Sequence, residues 1–148
     1  VGSGEKKRNK MKHLYIGIDP GTQTGLAIWD KRTRKFSLVA TMQIHKAMAI
    51  VELHKENIAL IRCEDPNTWK PYNGTSRADR SKLQGAGSVK RDYKIWSDYA
   101  LDKGIPFAGV SLQASMKKVP ATQFRLITKH TERTSEHARD AAMLVFQL

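Results

Sequence analysis

The hydrophobic residues of this chain change their period along its length, and the order of those changes leaves few folds open. From His13 to Asp19 the sequence is strand-like (Leu14, Tyr15, Ile16, Ile18), and Thr24 to Trp29 is strand-like again. Between them stands Asp19-Pro20-Gly21-Thr22, a strong turn signal. Asp30 to Lys35 is a polar, basic turn, and Phe36 to Met42 reads as a third strand with Phe36, Leu38, Ala40 and Met42 expected on one face. Three consecutive strands joined by short turns imply an antiparallel meander.

The period then lengthens. Ala47, Ile50, Val51 and His54 recur at helical spacing across Ile44 to Asn57, with no proline or glycine to interrupt them. Ile58 to Cys63 is almost wholly apolar and of strand length, the pattern of a strand covered on both faces, and it ends at Glu64-Asp65-Pro66. Asn67 to Gly87 is polar, basic and turn-rich and reads as a long loop, a kind of segment that often carries function in compact domains. Helical spacing returns from Ser88 to Lys103 (Val89, Tyr93, Trp96, Ala100), and Gly104 stops it in the position glycine favours. Ile105 to Leu112 reads as a fifth strand and Ala121 to His130 as a helix. Thr134 or Ser135 caps a last helix running to Leu148, with Ala138, Ala141, Ala142, Val145 and Leu148 as its apolar stripe. The expected architecture is α/β: one domain over 13–148 with a five-stranded mixed sheet, three antiparallel strands and then two parallel, flanked by helices.

Charge narrows the partner. The 148 residues carry 26 lysines and arginines against 14 aspartates and glutamates, a formal net charge of +12. Self-repulsion of that size in a small domain is offset when the charges meet a polyanion and release its condensed counterions. The single cysteine, Cys63, excludes a disulfide framework and the usual zinc-binding cysteine clusters, and fits a reducing compartment. No apolar run approaches the roughly 20 residues that cross a bilayer, so a soluble protein with no membrane partner is expected. Val1 to Gly4 reads as a vector remnant. The rest of 1–12, with Lys6, Lys7, Arg8 and Lys10, reads as a basic, disordered tail.

Three acids stand out by position. Asp19 ends the first strand, Glu64 ends the apolar fourth, and Asp140 lies in the first turns of the last helix, with His137 three residues earlier on the same face. Each has a plainer role when taken singly: Asp19 as a turn former, Glu64 as a solvated strand end, Asp140 as an answer to the helix dipole, His137 as a surface histidine. If the first and fourth strands are neighbours, two carboxylates emerge at the same sheet edge, and a helix packed there adds Asp140 with His137 on the same face. Carboxylates gathered this way repel one another unless a cation lies between them, and hard oxygen donors suit Mg²⁺ or Mn²⁺. Two such ions about 4 Å apart can activate water and stabilise the leaving oxygen of a phosphodiester.

The run Tyr15-Ile16-Gly17-Ile18-Asp19-Pro20-Gly21-Thr22-Gln23-Thr24-Gly25-Leu26-Ala27 resembles the first motif of the RuvC family of Holliday junction resolvases. The strand ending in Glu64, the stretch Gln84-Gly85-Ala86-Gly87 leading into a helix, and His137-x-x-Asp140-Ala141-Ala142 resemble the later motifs in the same order. The resemblance implies an RNase H-like fold, a homodimer acting on branched DNA such as four-way junctions, and paired nicks made with a Mg²⁺-dependent carboxylate cluster holding two ions per site. It carries Asp19, Glu64 and Asp140 onto the metal-binding acids. His137 falls at a position that is aspartate in many members and histidine in others. Lys117 or Lys118 matches a basic residue near the scissile phosphate, and Trp69 or Tyr72 stands where an aromatic can stack on unpaired bases. With them, Lys70, Arg77, Arg80, Lys82, Lys90 and Arg91 are the expected DNA contacts.

Two other readings stay open: a YqgF-like nuclease of the same fold acting on RNA, and a catalytically silent basic protein that binds junctions. Sugar kinases and actin-like ATPases also use an Asp-x-Gly-Thr turn, but they need two such domains, for which 148 residues are too few. Cytoplasm or nucleoid is the expected location, or nucleus or organelle in a eukaryotic host.

Overall fold

The alternation of the first strands produces β1 (Leu14–Asp19), β2 (Gln23–Asp30) and β3 (Lys35–Gln43), paired antiparallel in sequence order. The computed structural model describes residues 11–68 and 77–148, and among these the side chains of 77–84, 86 and 114 are not described. The tail expected over 1–12 therefore lies outside the described residues except for Met11 and Lys12. Helix α1 (Ile44–His54) follows β3 directly and tightens into a 3-10 turn over Lys55–Asn57. The chain returns as β4 (Ile58–Glu64), parallel to β1. After α2 (Arg77–Lys103), β5 (Phe107–Val110) pairs parallel with β4, giving a five-stranded mixed sheet in the order β3-β2-β1-β4-β5. Helices α3 (Ala121–Thr128) and α4 (Glu136–Met143) complete the chain. The expected α/β class and the mixed sheet flanked by helices are both present.

Strand alternation sorts the core into two layers. Ile16, Ile18, Leu26, Ile28, Ile61 and Cys63 pack with Val51 of α1 and Trp96 and Ala100 of α2. On the opposite face Ala27, Trp29 and Phe36 pack with Phe124 of α3, with Ala138, Ala141 and Ala142 of α4, and with Val145. Phe36 does not share a face with Leu38 and Met42, as strict alternation predicts, since those two lie against the other layer. The register explains it: Ile28 pairs with Leu38 but Trp29 pairs with Phe36, so Ser37 is an extra residue and the strand changes face there.

Several boundaries differ from the spacing. α2 begins at Arg77, not Ser88, so much of the stretch read as loop is helix. Gly85 and Gly87 lie inside it and weaken helix propensity, but they keep the amide donors that proline would remove. They are not the entrance to a helix. The stop is as expected: Gly104 adopts φ +67°, its N–H bonds to the Leu101 carbonyl at 3.2 Å, and Ile105 N–H reaches back to Ala100 at 2.9 Å. Ala100 and Ile105 are both buried, the apolar contact that accompanies this cap. β5 is shorter than predicted, α3 stops two residues early at Lys129 in the left-handed conformation, and α4 stops at Met143. Beyond Met143 the amides of Leu144, Val145 and Leu148 bond three residues back while that of Phe146 reaches four, and Gln147 takes φ +65°, so the chain ends in turns and not as an α-helix to Leu148. Among the described residues no helix is long and apolar enough to cross a membrane.

Candidate active site

β1 and β4 are adjacent and parallel, with Ile18 opposite Cys63, so the next residues, Asp19 and Glu64, leave the sheet side by side. Their alternation puts both carboxylates on the face covered by α4, and both are buried, at 9% and 6% exposure. Two glycines decide how close α4 comes. A Cβ on Gly17 would lie 2.0 Å from the Ala141 carbonyl oxygen, and one on Gly25 would lie 2.2 Å from that of His137. Any side chain at either position would displace helix backbone, so glycine here lets α4 rest directly on β1 and β2. Ser135 starts that helix by accepting a hydrogen bond from the Ala138 N–H at 3.3 Å. Its hydroxyl also bonds Thr41 Oγ1 on β3, which ties the helix start to the sheet.

α4 so seated brings His137 and Asp140 to the strand ends. His137 Nδ1 lies 2.9 Å from Asp19 Oδ2, with the imidazole 62% exposed. Lys117, in the connection after β5, places Nζ 3.2 Å from Glu64 Oε1. Lys118 contributes something different: its backbone N–H donates to Asp140 Oδ1 at 2.8 Å, from a residue with φ +52°. The lysine pair that spacing leaves unresolved thus divides into an ammonium on Glu64 and an amide on Asp140.

The electrostatics are those of an acidic cluster held out of water. Burial pushes the Asp19 carboxyl up to about 6; its hydrogen bond to His137 opposes that rise, and the charges of Glu64 and Asp140 add to it. Burial also raises Asp140, against the Lys118 amide, and Glu64 and Glu136 raise it further. Cys63 lies beneath the site, its thiol pushed well above the ordinary range first by burial and then by Asp19 and Glu64. It is a protonated core residue and not a nucleophile.

Asp19, Glu64, His137, Asp140, Lys117 and Lys118 are therefore brought to one place from four different segments. Among the described residues no three His, Cys, Asp or Glu side chains are gathered tightly enough to hold an ion as they stand. The donor chemistry nonetheless fits a hard divalent cation. The charges of Glu64 and Asp140 add to the rise of Asp19, Glu64 adds to that of Asp140, and the positive charge beside Glu64 comes from a partly exposed lysine.

Of the expected DNA contacts, Trp69, Lys70 and Tyr72 lie outside the described residues, as do the side chains of Arg77, Arg80 and Lys82 on α2. Lys90 and Arg91 line a cleft of about 520 Å³ with Asn67, Tyr93 and Lys94. Tyr93 in that cleft packs against the α1 and α2 layer of the core, and its hydroxyl is raised first by burial and then by the charge of Asp65. Spacing missed three contributors: Gly17 and Gly25 as the seat of α4, and the Thr41–Ser135 tie. Asn67 and Lys94 were missed as well, although Lys94 stands four residues after Lys90 on one helix face, a signal that was available. No protein-family model matches the chain, and no curated protein matches it.

Proposed function

We propose that this chain is a metal-dependent, structure-specific endonuclease of RNase H-like fold that resolves four-way or branched DNA junctions as a homodimer. The observation that carries the reading is the convergence of Asp19, Glu64 and Asp140, from two parallel strand ends and a helix seated on them, in a protein whose net charge is +12. A buried acidic cluster on a basic protein suits chemistry on a polyanion whose backbone the surrounding cations hold.

In this reading Asp19, Glu64 and Asp140, with His137, hold Mg²⁺ or Mn²⁺. What two bound ions supply is activation of water and neutralisation of charge at the leaving oxygen. The chain's own groups do the positioning. His137, bonded through Nδ1 to Asp19, fixes the direction of that carboxylate, and the Lys118 amide does the same for Asp140. Lys117 keeps an ammonium 3.2 Å from Glu64, where it stabilises the negative charge that gathers on a phosphate entering the site. Equal sites in a symmetric dimer account for nicks made in pairs on a nearly two-fold junction.

One assay separates this from its rivals: a labelled four-way junction, a linear duplex and a structured RNA, each with Mg²⁺ or with EDTA. Paired nicks confined to the junction and dependent on Mg²⁺ are expected. Cleavage of the RNA alone favours the RNA-processing reading, and tight junction binding with no cleavage under any metal favours the architectural one. Asp19→Asn and Glu64→Gln are each expected to abolish cutting and retain junction binding, because affinity rests on phosphate contacts elsewhere.

A further inference from the structure

Where β2 turns into β3, at the opposite end of the sheet from Asp19, the chain runs Lys31-Arg32-Thr33-Arg34-Lys35, and the end of α3 packs beside it. Between them lies a cleft of about 350 Å³ lined by Arg34, Lys35, Ser37, Lys129 and Thr131, with Glu132 the acid among its lining residues. Among the described residues Arg34, Lys35 and Lys129 form no ion pair. Arg32 beside them is paired with Asp30 at 3.7 Å.

Two of these cations stand on backbone that suits glycine. Arg34 has φ +55° and Lys129 has φ +63°, a conformation that disfavours an L side chain by about 1–2 kcal/mol. Lys129 caps α3, where glycine is the common residue, and its N–H bonds the Arg125 carbonyl at 3.0 Å. Arg34 lays its guanidinium over the Trp29 ring, 5.8 Å from the centroid, which limits the directions it can take. Unpaired cations with nearby serine and threonine hydroxyls form the donor set that meets phosphates in protein–DNA interfaces.

The cleft is connected to the carboxylates. Val119, just before α3, accepts from Arg139 Nε of α4 at 2.8 Å, and α3 then runs from there to Lys129, with Arg125 exposed along it. Asp19 pairs with Gly25 and Gly25 with Thr41, so the distance to Phe36 is five residues of β3, and with the turn added about 20 Å at strand spacing. We infer that a DNA strand held at the carboxylates continues along α3 into this cleft, whose cations take phosphates of a duplex arm about six nucleotides away, at roughly 3.4 Å each. The choice of DNA rests on the nuclease reading; the cleft itself does not.

The test is the double variant Arg34→Gly, Lys129→Gly, which removes two charges while relaxing two strained backbones, so loss of folding does not confuse the result. Binding is measured in EDTA, without catalysis, to junctions whose arms are about 20 or about 4 base pairs long, across a salt series. On long arms the variant is expected to bind roughly thirtyfold more weakly at about 0.1 M salt, and its slope of log K against log salt to be shallower by about 2. On short arms it should match the parent. Equal loss on both lengths, or no loss on either, overturns the inference. So does a parent that ignores DNA but binds phosphatidylserine vesicles through these two residues. A protein that shows the arm-length effect yet never cuts DNA leaves the cleft assigned and sinks the nuclease reading instead.

Discussion

At the end of the sheet where β1 and β4 finish, acids are buried and a helix touches strand backbone; at the end where β2 turns into β3, cations are exposed on backbone a glycine would tolerate better. The first end has glycine where nothing else fits, and the second has Arg34 and Lys129 where glycine would fit well, as Lys118 stands beside Asp140. Steric demand explains Gly17 and Gly25, since the close approach of α4 is what delivers His137 and Asp140. It does not explain Arg34 and Lys129, whose local geometry argues against them. Positions that resist the local preference are where function is to be sought.

The largest effect should come from filling the seat of α4. Gly25→Val, or Gly17→Ala, forces a carbon into the space of a backbone carbonyl that has no free rotor to yield. A loss of about 4 kcal/mol is expected in urea unfolding, with cleavage abolished even in the fraction that folds. Gly85→Ala and Gly87→Ala on α2 are the controls. Among the described residues nothing lies within 4 Å of the added carbon, so each should leave stability unchanged or raise it by about 0.5–1 kcal/mol. If Gly25→Val is as harmless as Gly85→Ala, the two ends do not differ in the way described.

Next in size is a reversal of sign with pH. Asp19 titrates near 6 in the fold and near 3.8 when unfolded, so between those values the native state binds more protons and stability falls as pH rises. From this group alone the metal-free protein loses up to about 3 kcal/mol between pH 4 and pH 7. Asp19→Asn should therefore match the parent at pH 4 and exceed it at pH 7, although the proposed function has it lose cleavage. Mg²⁺ should raise the melting temperature of the parent at pH 7.5, have little effect at pH 4, and do nothing to the variant at either. A parent at least as stable as the variant at pH 7 without metal would show that the Asp19 carboxylate does not bear the desolvation cost its burial implies.

Much of this was legible in the sequence because it depends on neighbours along the chain. The strand ends at Asp19 and Glu64, the Ser135 cap and the Gly104 stop are local signals, and each appears where the spacing puts it. What escaped depends on partners far along the chain or on a single dihedral angle. Alternation cannot announce the extra residue at Ser37 that turns Phe36 to the other face, since a bulge is defined by the partner strand. The tight approach at Gly17 involves Ala141, on the last helix. Polar composition concealed the first turns of α2, because Arg77 to Gly87 offers little apolar stripe to read.

The smallest predicted effects separate two adjacent lysines. Lys117→Met removes the ammonium from a carboxylate that is nearly buried. Because the lysine is half-exposed, the loss in stability should be about 1 kcal/mol, while cleavage falls roughly a hundredfold. Lys118→Gly should do almost nothing to cleavage, within about threefold, because the group that meets Asp140 is the backbone N–H, which glycine retains. It should also relax a φ of +52°, raising stability by at most about 1 kcal/mol. A hundredfold loss with Lys118→Gly, and none with Lys117→Met, would mean that the Lys118 ammonium works on the phosphate. In that event the site would share the far cleft's device, a cation held on strained backbone, and the contrast between the two ends would shrink to the placement of their glycines.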